Sequence, residues 1–138
     1  MGKRVCVIDG QGGGIGAELV KSLKTVYDES IEIIALGTNA VATSQMMKAG
    51  AARGASGENA IVQTLKSADL IVGPIAVSWA NAMLGEVTPR IAESVSTSAA
   101  LKILFPLTQE RVEIIGVKRE PLPHLIEAFL KGKINEVL

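Results

Sequence analysis

The residues with the most chemical potential stand near the start of the chain, in the run Asp9-Gly10-Gln11-Gly12-Gly13-Gly14-Ile15-Gly16. Glycine allows positive φ and lets a ligand approach bare backbone. The apolar run 5–8 precedes these residues, and Ile15, Leu19, Val20, Leu23 and Val26 recur after it at helical spacing. The order is therefore strand, turn, helix. A helix start aims free N–H groups and the positive end of its dipole at whatever occupies the turn, which suits a phosphate. Gly12-x-Gly14-x-x-Ala17 also satisfies the dinucleotide spacing G-x-G-x-x-G/A. A tight strand-to-helix turn without any ligand is the plainer reading of the same residues.

Further candidates lie where other strands end. Gly37-Thr38-Asn39 closes the second apolar run, Gly57-Glu58-Asn59 opens a helix, and Gly73-Pro74 closes a later run. In an open α/β sheet these points face one crevice beyond the carboxyl ends of the strands. The expected ligand-binding set is Asp9, Gly10, Gln11, Gly12, Gly13, Gly14, Ile15, Gly16, Gly37, Thr38, Asn39, Gly57, Glu58, Asn59, Gly73 and Pro74, with Ser56 and Pro106 at the same edge. The end of the second strand bears on the cofactor. An NAD site usually places an acid there, about 20 residues past the glycine turn, and an NADP site places an Arg nearby. Thr38 and Asn39 are neutral, so they could hydrogen-bond a hydroxyl or a phosphate, or simply cap the next helix. NAD(P) or another adenine nucleotide is the expected cofactor, with NAD and NADP binding within roughly tenfold of each other.

Catalytic signals are sparse. Asp9, Glu58 and Glu86 could each act as a general base or hold Mg²⁺, but each reads more simply as a cap or turn residue. His124 reads as a solvated residue at a helix start. Cys6 is the only cysteine and His124 the only histidine, so neither an internal disulfide nor a zinc set is available. No metal site is expected.

The elements that must position these residues follow from the apolar pattern. Run 5–8 is continuous rather than alternating, as in parallel strands buried on both faces, and 31–36, 69–73 and 101–105 read as further strands. Residues 51–55 carry little strand preference and read either as a short strand or as a loop. Residues 112–117 follow 101–105 by a connection too short for a crossover, which predicts an antiparallel edge strand. Helices are expected over 40–48, from 56, over 75–84, from Thr88-Pro89, and after Pro121 and Pro123. The stretch 75–84 holds Trp79 and one embedded polar residue, Asn81, which needs a partner if buried. Its apolar surface predicts a homodimer. The fold class is α/β: a single Rossmann-like domain over 1–138 with a doubly wound, mostly parallel sheet and an antiparallel edge strand near the C-terminus. With 51–55 as a strand the order is 3-2-1-4-5-6, and without it 2-1-3-4-5.

Composition narrows the function classes. The 138 residues are 48% hydrophobic and 20% charged, which describes a folded domain with a sizeable core. Fourteen basic residues balance fourteen acidic ones, and aromatics are 3%, so a nucleic-acid partner is not expected. The apolar run after Lys3-Arg4 is too short for a signal peptide, and none is long enough to span a membrane, so the expected place is the cytoplasm, with no membrane partner.

Taken together, Asp9-Gly10-Gln11-Gly12-Gly13-Gly14-Ile15-Gly16, Ala35-Leu36-Gly37-Thr38-Asn39, Gly57-Glu58-Asn59-Ala60 and Gly73-Pro74-Ile75 resemble a group of short bacterial proteins catalogued only as a domain of unknown function. That resemblance covers nearly the whole chain and implies no activity. At the level of fold, the first turn is also similar to that of the gamma domain of 2-oxoacid:ferredoxin oxidoreductases. The spacing Gly10-x-x-x-Gly14-Ile15-Gly16 resembles short-chain dehydrogenases, but their Tyr-x-x-x-Lys pair is absent: the only tyrosine, Tyr27, is followed by Ile31 at the lysine position. Two functions remain. One is a nucleotide- or dinucleotide-binding protein whose cofactor supplies the chemistry; the other is a non-catalytic small-molecule sensor or interaction subunit using the same crevice.

Overall fold

The structure is a computed structural model, describing residues 2–138. Five strands form one parallel sheet in the order β3-β2-β1-β4-β5: β1 Arg4–Asp9, β2 Glu32–Gly37, β3 Arg53–Ser56, β4 Leu70–Pro74 and β5 Leu101–Phe105. The central strand β1 is flanked in register by β2, Asp9 opposite Gly37, and by β4, Val7 opposite Val72. Alternate residues of β1 feed two cores. Val5 and Val7 pack with Leu19, Leu23, Met46 and Phe129, which belong to helices α1 Gly14–Tyr27, α2 Ala40–Lys48 and α5 Leu122–Lys131. Cys6 and Ile8 pack on the other face with Ile61, Leu65, Ile91 and Val95, from α3 Glu58–Leu65 and α4 Pro89–Ser96. A final short helix, α6 Ile134–Val137, buries Ile134 in the first core. With helices on both faces the sheet is doubly wound, which is why its three central strands, β1, β2 and β4, are apolar on both sides. Burial pushes the Cys6 thiol up to about 12, leaving it an inert packing residue. Among the described residues no helix is long and apolar enough to cross a membrane.

Two of the expected caps form, while α3 starts after Gly57 with no side-chain cap. Asn39 accepts a hydrogen bond from Ala42 N (2.9 Å) to start α2, and Thr88 accepts one from Ile91 N (3.2 Å) before Pro89 starts α4.

Two expectations need correction, at 112–117 and 75–84, and of the two readings of residues 51–55 the strand is the one that forms: Arg53–Ser56 pairs parallel with β2, Ile34 opposite Arg53 through Gly37 opposite Ser56. Edge pairing creates it where propensity is silent. The antiparallel edge strand at 112–117 does not form. The chain leaving β5 is drawn across the end of the sheet, where Glu110 accepts a hydrogen bond from Met83 N at 2.7 Å, so it never turns back beside β5. Ile115 ends 88% exposed and Gly116 takes a positive φ. Nor is 75–84 a helix. A single 3-10 turn, Ile75–Ser78, gives way to a strap in which Asn81, Met83 and Leu84 have φ of 67°, 57° and 56°. Left-handed residues cannot continue a right-handed helix. Asn81 is exposed, and it is its backbone N–H that is engaged, by Val87 O. The apolar helix from which the homodimer was inferred is therefore not present.

Candidate functional site

The site is built outward from Asp9, the last residue of β1 and 4% exposed. Its Oδ1 accepts from Gly10 N at 2.8 Å and its Oδ2 from Gly16 N at 2.7 Å, so one carboxylate closes the whole glycine turn. Burial pushes the Asp9 carboxyl above its ordinary range, the two N–H groups pull it back, and the charge of Glu86 adds to the rise. Gly13 N donates to Gly10 O at 2.9 Å, completing the turn. The N–H groups of Gly12, Gly14 and Ile15 find no acceptor among the described residues. Those of Gly14 and Ile15 are vacant donors of the helix start, and that of Gly12 lies in the turn just before it.

The glycines of this turn differ in what they accommodate. Gly13 has φ 73°, and a Cβ there would sit 2.7 Å from Ala42 Cα, so the turn can touch α2 only as glycine. A Cβ on Gly16 would meet Met46 Sδ at 2.6 Å and Asp9 Cβ at 2.8 Å. Gly12 and Gly14 have neither a positive φ nor any atom within 4 Å of an added Cβ. No contact within the protein demands glycine at those two positions.

These two glycines face a cleft of about 580 Å³ lined by Asp9, Gly10, Gln11, Gly12, Gly13, Gly14 and Ile15, by Pro74 at the end of β4, by Ala76, Met83 and Leu84 of the strap, and by Leu107, Thr108, Gln109 and Glu110 after β5. That volume is typical of small-molecule sites. The charged side chains of this lining, Asp9 and Glu110, are both acidic and both engaged by backbone N–H groups.

The remaining predicted residues lie elsewhere. Gly37 and Gly73 are buried in the sheet, where an added Cβ would meet Thr43 Oγ1 and Ile8 O at 2.3 Å each. Gly57 N bonds Gly37 O, and Asn59 is exposed. Glu58 accepts from the Thr88 hydroxyl and stands 3.9 Å from Arg90, tying α3 to α4. Thr38 and Asn39 are held by a side chain from far along the chain. Glu86 Oε1 accepts from Thr38 Oγ1 (2.7 Å), Asn39 Nδ2 (2.8 Å) and Gln11 N (2.8 Å). Asn39 does two jobs, since its Oδ1 caps α2 while its Nδ2 joins this clasp and also reaches Gln11 O. The end of β2, neutral in sequence, thus acquires a carboxylate in space.

Burial raises the Glu86 carboxyl, but the hydrogen bonds from Gln11, Thr38 and Asn39 outweigh it and hold the group below its ordinary range. A lowered folded value adds stability that is complete above the unfolded value and disappears as pH falls through the folded one. Glu86→Gln should therefore melt below wild type at about pH 7, and the gap should close as pH drops below the ordinary Glu value of about 4.3. Melting temperatures measured across that range check it; a gap independent of pH would mean that the charge contributes nothing.

The residues that sequence reasoning left out are the strap and the segment after β5. In the sequence Glu86 stands out only as one acid among three, with Asp9 and Glu58. A faint signal for the strap was Gly85 followed by Glu86 just before the Thr88-Pro89 cap, which marks a turn at the crevice edge rather than a continuing helix.

A family model described as "Domain of unknown function (DUF3842)" matches residues 4–137. No curated protein matches the chain. Among solved structures, a dodecameric FMN-dependent UbiX-like decarboxylase from Escherichia coli O157:H7 is similar at 13% identity, over 94% of this chain and 74% of that one, with a TM-score of 0.47.

Proposed function

Since the chain belongs to that family of unknown function, we propose from the site alone that it binds a phosphate-bearing small molecule of the nucleotide class. The phosphate sits on Gly12, Gly14 and Ile15, and the rest of the ligand runs along the cleft toward Pro74 and residues 107–110. One observation carries the reading: Gly12 and Gly14 are bare where neither backbone conformation nor packing asks for it. Open space over glycine, beside vacant helix-start N–H groups, is what a bound phosphate needs. Contacts through backbone donors also explain how an anion would be held where both lining charges are acidic.

Gly12→Val and Gly14→Val test this. Both should fold, because a Cβ at either position enters open space rather than packed protein. Both should lose the thermal stabilisation that a panel of mononucleotides, AMP and FMN among them, gives the wild type. A ligand at 100 times its Kd stabilises by about 2.7 kcal/mol, so the loss is easily read. Folded variants with an undiminished response would remove the glycine turn from the site.

Non-catalytic use of the cleft is the second reading, favoured by the engagement of both Asp9 and Glu110 with backbone N–H groups. Chemistry at this site would then come from a cofactor or not at all.

A homodimer also remains our proposal, now on a different surface. The outer edge of β5 has no partner strand among the described residues. Lys102, which could guard that edge with its charge, is turned back onto Ser98 O. Beside it runs an apolar groove of about 280 Å³ that includes Ile103, Phe105, Leu125 and Phe129. Light scattering should return twice the chain mass at micromolar concentration, and Ile103→Lys should return the single-chain mass. A monomeric wild type refutes it.

A further inference from the structure

We propose that Glu86 and Met83 make the cleft one-sided, walling off the end of β2 so that the site accepts a ligand ending at the glycine turn and rejects one continuing past it. The inference rests on the proposed binding at that turn. In a dinucleotide site the pyrophosphate crosses the helix start and the second nucleoside lies over the end of the second strand, where side chains there hold its ribose. Here that place is taken. Glu86 Oε1 already accepts the donors that a ribose or phosphate would use: Thr38 Oγ1, Asn39 Nδ2 and Gln11 N. Met83 closes the gap in front, with its sulfur only 2.6 Å from where a Cβ on Gly10 would stand. Gly10, Gln11 and Met83 line the open cleft, and Thr38, Asn39 and Glu86 are not part of its lining.

The wall is held at both ends. Glu110 grips Met83 N at 2.7 Å, and the Glu86 clasp fixes the other side. Between them Met83 and Leu84 keep left-handed backbone, an arrangement disfavoured for such side chains that persists only where the surroundings enforce it. The Glu86 charge adds repulsion toward any phosphate placed beyond the turn. The ligand class is therefore a mononucleotide or similar phosphate monoester, with its base or organic group on the β4 and β5 side.

Calorimetric titration of wild type, Glu86→Ala and Glu86→Gln with NAD, AMP and FMN tests this, with amide exchange at Gln11 as an independent reporter of the clasp. Glu86→Ala should bind NAD at least about tenfold more tightly than wild type does, about 1.4 kcal/mol. AMP and FMN should change much less, so the ratio of affinities moves, which a general loss of stability would not produce. Glu86→Gln keeps an acceptor for all three donors and loses only the charge, so its gain for NAD should be smaller than that of Glu86→Ala. Exchange at Gln11 should quicken in Glu86→Ala. Met83→Ala, which opens the wall and leaves the clasp intact, should show the same NAD gain and stands in if Glu86→Ala does not fold. No gain for NAD in a folded variant with an open wall overturns the inference, whatever the mononucleotides do. A gain for NAD while AMP and FMN bind none of the proteins would support the wall and refute the mononucleotide class for the site.

Discussion

Gly13→Ala is expected to remove about 3 kcal/mol or more of folding stability, roughly 10 °C in Tm, while Gly12→Ala and Gly14→Ala stay close to wild type. The three glycines are neighbours, so the contrast isolates geometry from composition. At Gly13 two penalties add. Its φ of 73° disfavours any Cβ, and that Cβ would stand 2.7 Å from Ala42 Cα and 2.9 Å from Ala42 O, backbone atoms of α2 with no freedom to swing away. Left-handed backbone costs an L-residue about 1–2 kcal/mol, and overpacking about 1–3 kcal/mol. Gly14 opens α1 with nothing near its missing side chain, so alanine there is tolerated and gains helix propensity of up to about 1 kcal/mol. Urea unfolding followed by the single tryptophan, Trp79, measures all three. A Gly13→Ala loss below about 1 kcal/mol would show that the turn can lift off α2, and that the close approach does not constrain the site.

What the sequence disclosed and what it hid divide along a physical line. Features set by neighbours in the chain were legible: the apolar strands around β1, the glycine turn, the Asn39 and Thr88 caps, and the run of helices that makes the sheet parallel. Features set by distant partners were not. Residues 53–56 are a strand because β2 offers them an open edge, not because Arg-Gly-Ala-Ser prefers to be extended. The run 75–84 is apolar enough for a helix, yet Ala76, Val77 and Ala82 are buried from an irregular strap that has to reach the crevice. Residues 112–117 have strand composition but do not return to the open edge of β5, since Glu110 is spent on Met83 and the chain has already crossed the cleft. The neutral end of β2 misled in the same way. Thr38 and Glu86 meet across 48 residues, and spacing along the chain carries no trace of that contact.

Asp9→Ala is expected to produce the largest loss among side-chain changes, about 3–5 kcal/mol, and to carry ligand binding away with it. One carboxylate, 4% exposed, satisfies the N–H groups of Gly10 and Gly16. Hydrogen bonds to a charged group contribute about 1.5–3 kcal/mol each, and a buried N–H left without an acceptor costs about 1–3 kcal/mol. Alanine removes both bonds at once and leaves a gap beside Gly16, which packs directly against Asp9 Cβ. Asp9→Asn separates charge from shape. Its carbonyl oxygen keeps one N–H, but its amide turns a donor toward the other, so it should fall between alanine and wild type. The rise in the Asp9 carboxyl reinforces the distinction. A group raised in the fold favours the folded state most at acid pH and less as pH climbs through its folded value, and asparagine lacks that dependence. The loss also has a functional sequel. Gly16 N is the third helix-start donor, and Asp9 is what holds it while Gly12, Gly14 and Ile15 stay free for a ligand. Without the brace the turn can open, and the vacant donors no longer converge on one point. Thermal melts of Asp9→Ala and Asp9→Asn, each with and without ligand, read both effects. An Asp9→Ala protein within about 1 kcal/mol of wild type would mean that water replaces the carboxylate at both N–H groups, and that the turn does not depend on its first residue.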